Sequence, residues 1–318
     1  MLPDSRKFNR HASCPSYVLR PSCHLRLAVS PLSDSRSRQD RVNAISFLHA
    51  EMKPSILHRK GAAPGQSTPL LFVHGAFAGA WSWDEHFLPY FQALGYDCRA
   101  LNFRAHGADA NWCYLQLLGI QDYSHDVAWA LEQCAKPPVL IGHSMGAFAV
   151  LRLLQHRELS LSGLVLISPG SPENHFASAL RFLLDSPFSY YKLNVMNASS
   201  KNFWSWIMTG EEMRRLMLST ASSLDTLQRI VPKMQHESFL AMTDMLTAPS
   251  RRPPAIDCPK LVLGGEDDTI VPPEFVRRTA QWVGAKAQLL PDMGHSMMVE
   301  DGWRTAADII STWLSRKL

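Results

Sequence analysis

No part of this 318-residue chain runs for about 18 residues without a polar break, so a helix spanning hydrocarbon is not expected. The mean hydropathy of −0.11 agrees. Cysteine is sparse. The six residues Cys14, Cys23, Cys98, Cys113, Cys134 and Cys258 include no Cys-x-x-Cys pair, which argues against a metal site or a redox dithiol. Cys98 and Cys134 fall within strand-like and helix-like patterns and are expected as buried free thiols, a usage that suits a reducing compartment. Basic charge is scarce outside the N-terminal region. Residues 1–60 hold 11 Lys/Arg against 4 Asp/Glu, a balance of +7; the rest holds 21 against 24, or −3. The main body is therefore mildly acidic, and no basic face for nucleic acid is expected. No internal repeat is visible.

Residues 1–44 are rich in Ser, Arg and Pro, show no sustained periodicity, and lack the roughly 7–15-residue apolar centre of a secretory signal. Three readings of this stretch stay open: an organelle transit peptide, a disordered tail, or translation upstream of Met52. We expect a dispensable extension on a cytoplasmic protein, with organelle targeting as the alternative. Oligomeric state is not legible.

What the chain does have is an ample apolar fraction, 46%, enough for one large α/β core and an insertion. From Pro69 onward strand and helix patterns alternate, the signature of a mainly parallel sheet covered on both faces. Strands are predicted at 70–74, 97–102, 139–142, 163–168, 261–264 and 287–290. Lys53–His58 could open the sheet. Tyr123, Val127, Leu131 and Cys134 recur at helical spacing, as do Trp303, Ala307, Ile310 and Leu314 near the C-terminus.

Gly142-His143-Ser144-Met145-Gly146 stands between the strand pattern at 139–142 and the helix pattern that begins at Ala147. A bare Gly-x-Ser-x-Gly occurs by chance about 0.1 times in a chain of this length. Strand before and helix after raise its meaning, because a sharp turn between them exposes the serine hydroxyl. The flanking glycines allow the close approach this needs. Met145, in the first helical turn, would turn an unpaired N–H toward the same place.

A serine nucleophile requires a base, a carboxylate to orient that base, and donors for an oxyanion. Two later strand ends supply candidates: Gly265-Glu266-Asp267-Asp268-Thr269-Ile270-Val271-Pro272, and Pro291-Asp292-Met293-Gly294-His295. Open α/β sheets place their ligands at such ends.

With these motifs the chain resembles the α/β-hydrolase superfamily, in its esterase and lipase branch, from about Pro69 to the C-terminus. The resemblance implies the α/β-hydrolase fold, with core segments 45–170 and 251–318 and a helical lid over 171–250. The family's Gly-x-x-Asp-x-x-x-Pro pattern assigns the acid to Asp268 and leaves Asp267 as a solvated turn residue. Its Gly-His-x-x-x-x-Glu pattern assigns the base to His295. Leu71-Phe72-Val73-His74-Gly75-Ala76 matches the turn carrying the second oxyanion donor, which implies the Ala76 N–H beside that of Met145. Phe77 is the fallback donor and a candidate substrate contact. Arg104-Ala105-His106-Gly107 resembles the family's Arg-Gly-His-Gly turn, with Ala105 departing at its second position, and is read as structural.

His74 and His143 are read as scaffold residues, Glu300 as an anchor for the loop bearing His295. Trp81 and Trp83 are assigned to core packing, with Asp84 and Glu85 in the first turn of a helix. The 171–250 segment is rich in Met and aromatic residues, which suits an apolar ligand. The expected activity is hydrolysis of a carboxylic ester with an apolar component, through an acyl-enzyme and without metal or organic cofactor. Two alternatives remain: carbon–carbon hydrolysis of a vinylogous diketone with the same residues, and a non-enzymatic ligand receptor on this fold. Relatives that act on haloalkanes or epoxides place aspartate where Ser144 stands.

Overall fold

The computed structural model describes residues 52–61, 68–170, 184, 209–247 and 256–318. The N-terminal extension and the 171–208 part of the expected lid, Leu184 apart, lie outside the described residues. Among the described residues, seven strands form one sheet: β1 Ser55–Arg59, β2 Leu70–Val73, β3 Cys98–Asn102, β4 Val139–His143, β5 Gly163–Ile167, β6 Lys260–Gly265 and β7 Ala287–Leu290. Their spatial order is β1-β3-β2-β4-β5-β6-β7. Only β1 is antiparallel to its neighbour, with Ser55 opposite Asn102 and Arg59 opposite Cys98. Each strand expected from the pattern is present to within a residue or two. β1 begins just after Pro54, which has no N–H to give a ladder.

The central strands β2, β4 and β5 are buried along their whole length. Parallel strands covered on both faces read as such unbroken apolar runs. Alternate residues then serve opposite faces. Leu70, Phe72, Ile141 and Val165 pack in one cluster, with residues of the helices Phe87–Ala93 and Trp303–Lys317. Leu71, Val73, Leu140 and Leu164 pack in the other, with the helices Ile120–Glu132, Met145–Leu154 and Pro273–Trp282. Ala307, Ile310 and Leu314 are fully buried, as their spacing suggests.

Two expectations need correction. Trp81–Asp84 is a single helical turn that holds Asp84 as expected, but Glu85 is its C-terminal cap and lies outside the first turn. Both acids meet cations: Asp84 pairs with Arg59 of β1, and Glu85 with Arg229 and Lys233. Cys134 lies just beyond the end of its helix and is only half-buried. Cys98 is buried, which pushes its thiol well above the usual range.

The described part of the insertion forms the helices Gly210–Met217, Leu224–Ile230 and Phe239–Thr247. It docks on the core through Met213, Leu216, Leu218, Leu227, Ile230 and Met234, all buried. Two backbone hydrogen bonds fix it to strand-end loops: Ser296 N–H to Met217 C=O at 2.8 Å, and Gln235 N–H to Phe77 C=O at 2.9 Å.

Candidate active site

Because β2, β4, β6 and β7 run parallel, their carboxyl ends share one edge of the sheet. The loops that leave those ends carry Ala76, Ser144, Asp268 and His295 in turn.

Ser144 stands at φ 50° and ψ −118°, between β4 and the helix Met145–Leu154. Such a backbone is costly for a residue with a Cβ and holds only where its surroundings leave no alternative. Glycine supplies the room. A Cβ on Gly146 would lie 2.3 Å from the His74 carbonyl oxygen, and one on Gly142 2.9 Å from Ala147 Cα. The Gly75 turn is equally tight, since a Cβ there would come within 3.1 Å of Ser144 Cβ.

The Ser144 hydroxyl is 2.9 Å from His295 Nε2, and His295 Nδ1 is 2.9 Å from Asp268 Oδ2. The other Asp268 oxygen accepts the N–H groups of Ile270, at 3.0 Å, and Val271, at 2.8 Å. With a carboxylate at Nδ1, the ring keeps its proton there and leaves Nε2 free to accept. Asp268 and His295 are buried, and Ser144 is half-buried. Asp267 makes no such pairing. It meets Thr220 Oγ1 at 3.5 Å, while its backbone N–H bonds to Met293.

Among the described residues, the N–H groups of Ala76 and Met145 donate to no protein acceptor. Phe77 is placed differently from the substrate contact expected of it. Its side chain is buried in a core cluster, and its N–H donates to Glu237 Oε2 at 3.3 Å. That bond also closes its fallback role as a donor.

The neighbouring titratable groups are scaffold. His74 Nδ1–H donates to the Gly75 carbonyl at 2.8 Å, and its Nε2 accepts the Phe103 N–H at 3.3 Å. Burial, then the nearby His106 charge, lowers His74 to about 3, so it stays neutral. His143 donates to the His295 carbonyl at 2.9 Å and is lowered by burial and by His295. Glu300 accepts from Gly294 N–H at 2.9 Å, Ser219 N–H at 2.9 Å and Ser222 Oγ at 3.1 Å. It thus ties the His295 loop to the insertion, although burial still pushes its carboxyl upward. Arg104 is fastened to buried Asp126 through side chain and backbone. Ala105 stands at φ 60°, a backbone that glycine adopts without cost. Among the described residues, no three His, Cys, Asp or Glu side chains gather as a metal site, and no helix is long and apolar enough to cross a membrane.

Comparison with known proteins shows the family. The model of the alpha/beta hydrolase family matches residues 70–309. The chain belongs to the alpha/beta hydrolase family. A pyrethroid hydrolase from Sphingobium wenxiniae is 29% identical over 112 residues, covering 33% of this chain but only 39% of that relative. The putative non-heme bromoperoxidase BpoC from Mycobacterium tuberculosis is 24% identical over 236 residues, 73% of this chain and 88% of BpoC. Its crystal structure superposes with a TM-score of 0.62 at 19% identity, over 84% of this chain and 97% of that one. A thermophilic esterase from Thermogutta terrifontis superposes with a TM-score of 0.61 at 20% identity, over 83% of this chain and 93% of that one. These likenesses establish the fold, and membership of an alpha/beta hydrolase family supports a hydrolase acting on a small molecule.

Sequence reasoning missed Glu237. It is fully buried yet reaches Phe77 N–H, His106 and Tyr123. It lies in a stretch without helical or strand period, and these three partners are more than 110 positions away. No local signal could have marked it.

Proposed function

We propose that this chain is a serine hydrolase that cleaves a carboxylic ester with an apolar component. The observation that carries the reading is the hydrogen-bonded series from half-buried Ser144 Oγ through His295 to buried Asp268. In the first step His295 Nε2 takes the hydroxyl proton as Ser144 Oγ bonds to the ester carbonyl carbon. The oxyanion so formed accepts the N–H groups of Ala76 and Met145, each such donor being worth about 2.7–4 kcal/mol. The imidazolium, stabilised by Asp268, then passes its proton to the departing alkoxide, which leaves as an alcohol. Water attacks the acyl-enzyme with His295 again as base, releasing the acid and restoring Ser144.

The ester assignment draws on the esterase among the structural relatives. In this reading residues 45–170 and 251–318 supply the catalytic core, and residues 171–250 form a lid whose Met and aromatic content meets the apolar part of the substrate.

The test has two arms. A fluorophosphonate probe should label Ser144 in the folded protein and not the Ser144→Ala variant. A p-nitrophenyl ester series of increasing acyl length should be hydrolysed, set against a vinylogous diketone. Turnover of the diketone alone would replace the ester by carbon–carbon hydrolysis; absence of labelling and of all turnover would leave a ligand receptor.

A further inference from the structure

Three successive peptides of the turn after β2 are clamped. The carbonyl of the Gly75–Ala76 peptide accepts His74 Nδ1–H at 2.8 Å. A planar trans peptide points its N–H opposite to its C=O, so this bond aims the Ala76 N–H away from His74. The N–H of the next peptide, that of Phe77, donates to Glu237 at 3.3 Å. The Phe77 carbonyl in turn accepts Gln235 N–H at 2.9 Å. Phe77 stands at φ 60°, in the left-handed region that a bulky side chain avoids. A residue holds that conformation only where its neighbours over-determine it.

The neighbours that do so come from the insertion. Gln235 brackets Gly107, accepting its N–H at 2.9 Å and donating to its carbonyl at 3.0 Å. Gln116 Nε2 donates to the Glu237 carbonyl at 3.1 Å, and Ser238 Oγ to the Leu118 carbonyl at 2.5 Å. Residues 235–238 are thus a strap fixed to three loops of the core.

The Glu237 carboxylate receives four donors: Phe77 N–H, His106 Nε2 at 3.3 Å, Tyr123 Oη at 2.7 Å and Ser238 N–H at 2.8 Å. His106 Nδ1 faces the Arg104 carbonyl at 3.1 Å, so both ring nitrogens look onto acceptors. Only an imidazolium donates from both. A buried negative charge is therefore answered by a buried positive one. Removing the carboxylate would leave the charge on His106 unmatched.

We propose that Glu237 is a positioning residue for catalysis: its carboxylate, carried in by the insertion, holds the Phe77 backbone so that the preceding Ala76 N–H stays on the Ser144 side of the turn. The inference rests on the serine-hydrolase reading. It adds that the oxyanion site is completed only when the insertion is seated.

The test uses the full-length chain with p-nitrophenyl butyrate and an aryl trifluoromethyl ketone, whose hemiketal oxygen with Ser144 occupies the oxyanion site. Glu237→Gln keeps the shape but weakens the acceptor set, and Glu237→Asp keeps the charge but withdraws it. Each is expected to lower kcat by roughly 10–100-fold, a fraction of what loss of a whole oxyanion donor costs. KM should stay within about twofold, as for an interaction felt only in the transition state. The ketone inhibition constant should rise by the same factor as kcat falls. A residue that served only stability would lower the melting temperature and leave kcat and ketone affinity untouched. Wild-type kcat in either folded variant, or failure of both to fold, would overturn the proposal. A wild-type protein without Ser144-dependent turnover would instead sink the hydrolase reading beneath it.

Discussion

At Ser144 the backbone dihedrals of 50° and −118° are ones a side chain resists, and the hydroxyl there has its reactive partner 2.9 Å away. Strain and function share one position, so they can be separated by substitution. Ser144→Ala deletes the hydroxyl and keeps the Cβ; Ser144→Gly deletes both. Both should abolish turnover, but the glycine variant should be the more stable by about 1 kcal/mol, since glycine adopts such a backbone freely. Urea unfolding of the two proteins measures this, and equal midpoints would mean that the turn stores no strain. The adjacent acids offer a second contrast. In Asp268→Asn an amide can face His295 Nδ1, favouring the tautomer with its proton on Nε2, which cannot accept from Ser144. A loss of about 10⁴ in kcat is expected, as for the same change in another triad. Asp267→Asn should be nearly silent, because among the described residues that carboxylate meets only Thr220, at 3.5 Å. If the two phenotypes were exchanged, Asp267 would be the acid.

At the scale of elements, the same substitution should have opposite signs at two glycines. Gly146 lies where the helix Met145–Leu154 crosses the end of β2, and a methyl group there would sit 2.3 Å from the His74 carbonyl oxygen and 2.6 Å from that of Val73. Backbone cannot yield as a flexible side chain does. Gly146→Ala should therefore cost about 1–3 kcal/mol and push the Ala76 turn off Ser144, lowering kcat as well. Gly210 opens the helix Gly210–Met217, and among the described residues a methyl there would meet only Leu224 and Leu227, at 3.9 Å. Gly210→Ala should stabilise by about 0.4–1 kcal/mol without touching activity. Chemical denaturation of both proteins decides it. The Gly-x-Ser-x-Gly motif was legible because it encodes this close approach within five residues. The strands were legible for a similar reason, since burial on both faces writes an unbroken apolar run such as Val139-Leu140-Ile141. Acid assignment was harder. Asp267 and Asp268 differ only in which way a turn faces, and the Ile270 and Val271 N–H groups that orient Asp268 depend on the folded loop. Glu85 misled because the helix stops one residue before it and its cations arrive from the insertion.

For the molecule as a whole, two uncharged histidines buried behind the site set a dependence of stability on acid. His74 is lowered from 6.5 to about 3, by burial and then by the charge on His106. His143 is lowered by burial and by His295. In the unfolded chain each binds a proton near 6.5, while the folded protein refuses it. The unfolded form is therefore favoured as pH falls: the His74 contribution is fully present above 6.5 and is lost progressively toward 3. For His74 the slope is about 1.4 kcal/mol per pH unit across that range, and His143 acts in the same direction. Glu300 and Asp126 act in the opposite sense, since burial raises both carboxyls and makes the folded state the better proton acceptor. A single acid midpoint would mix these effects, so the histidine contribution is best read as a difference between proteins. In His74→Gln the amide can still donate to Gly75 and accept from Phe103, but it has no proton to refuse. The variant should be less stable than wild type at pH 7.5, through lost packing, yet its stability should fall less steeply between pH 6 and 4. The expected difference in slope is about 1.4 kcal/mol per pH unit, from urea titrations at fixed pH values. Parallel curves would show that His74 takes up its proton in the folded state after all, and that the Gly75 carbonyl is held by a charged ring.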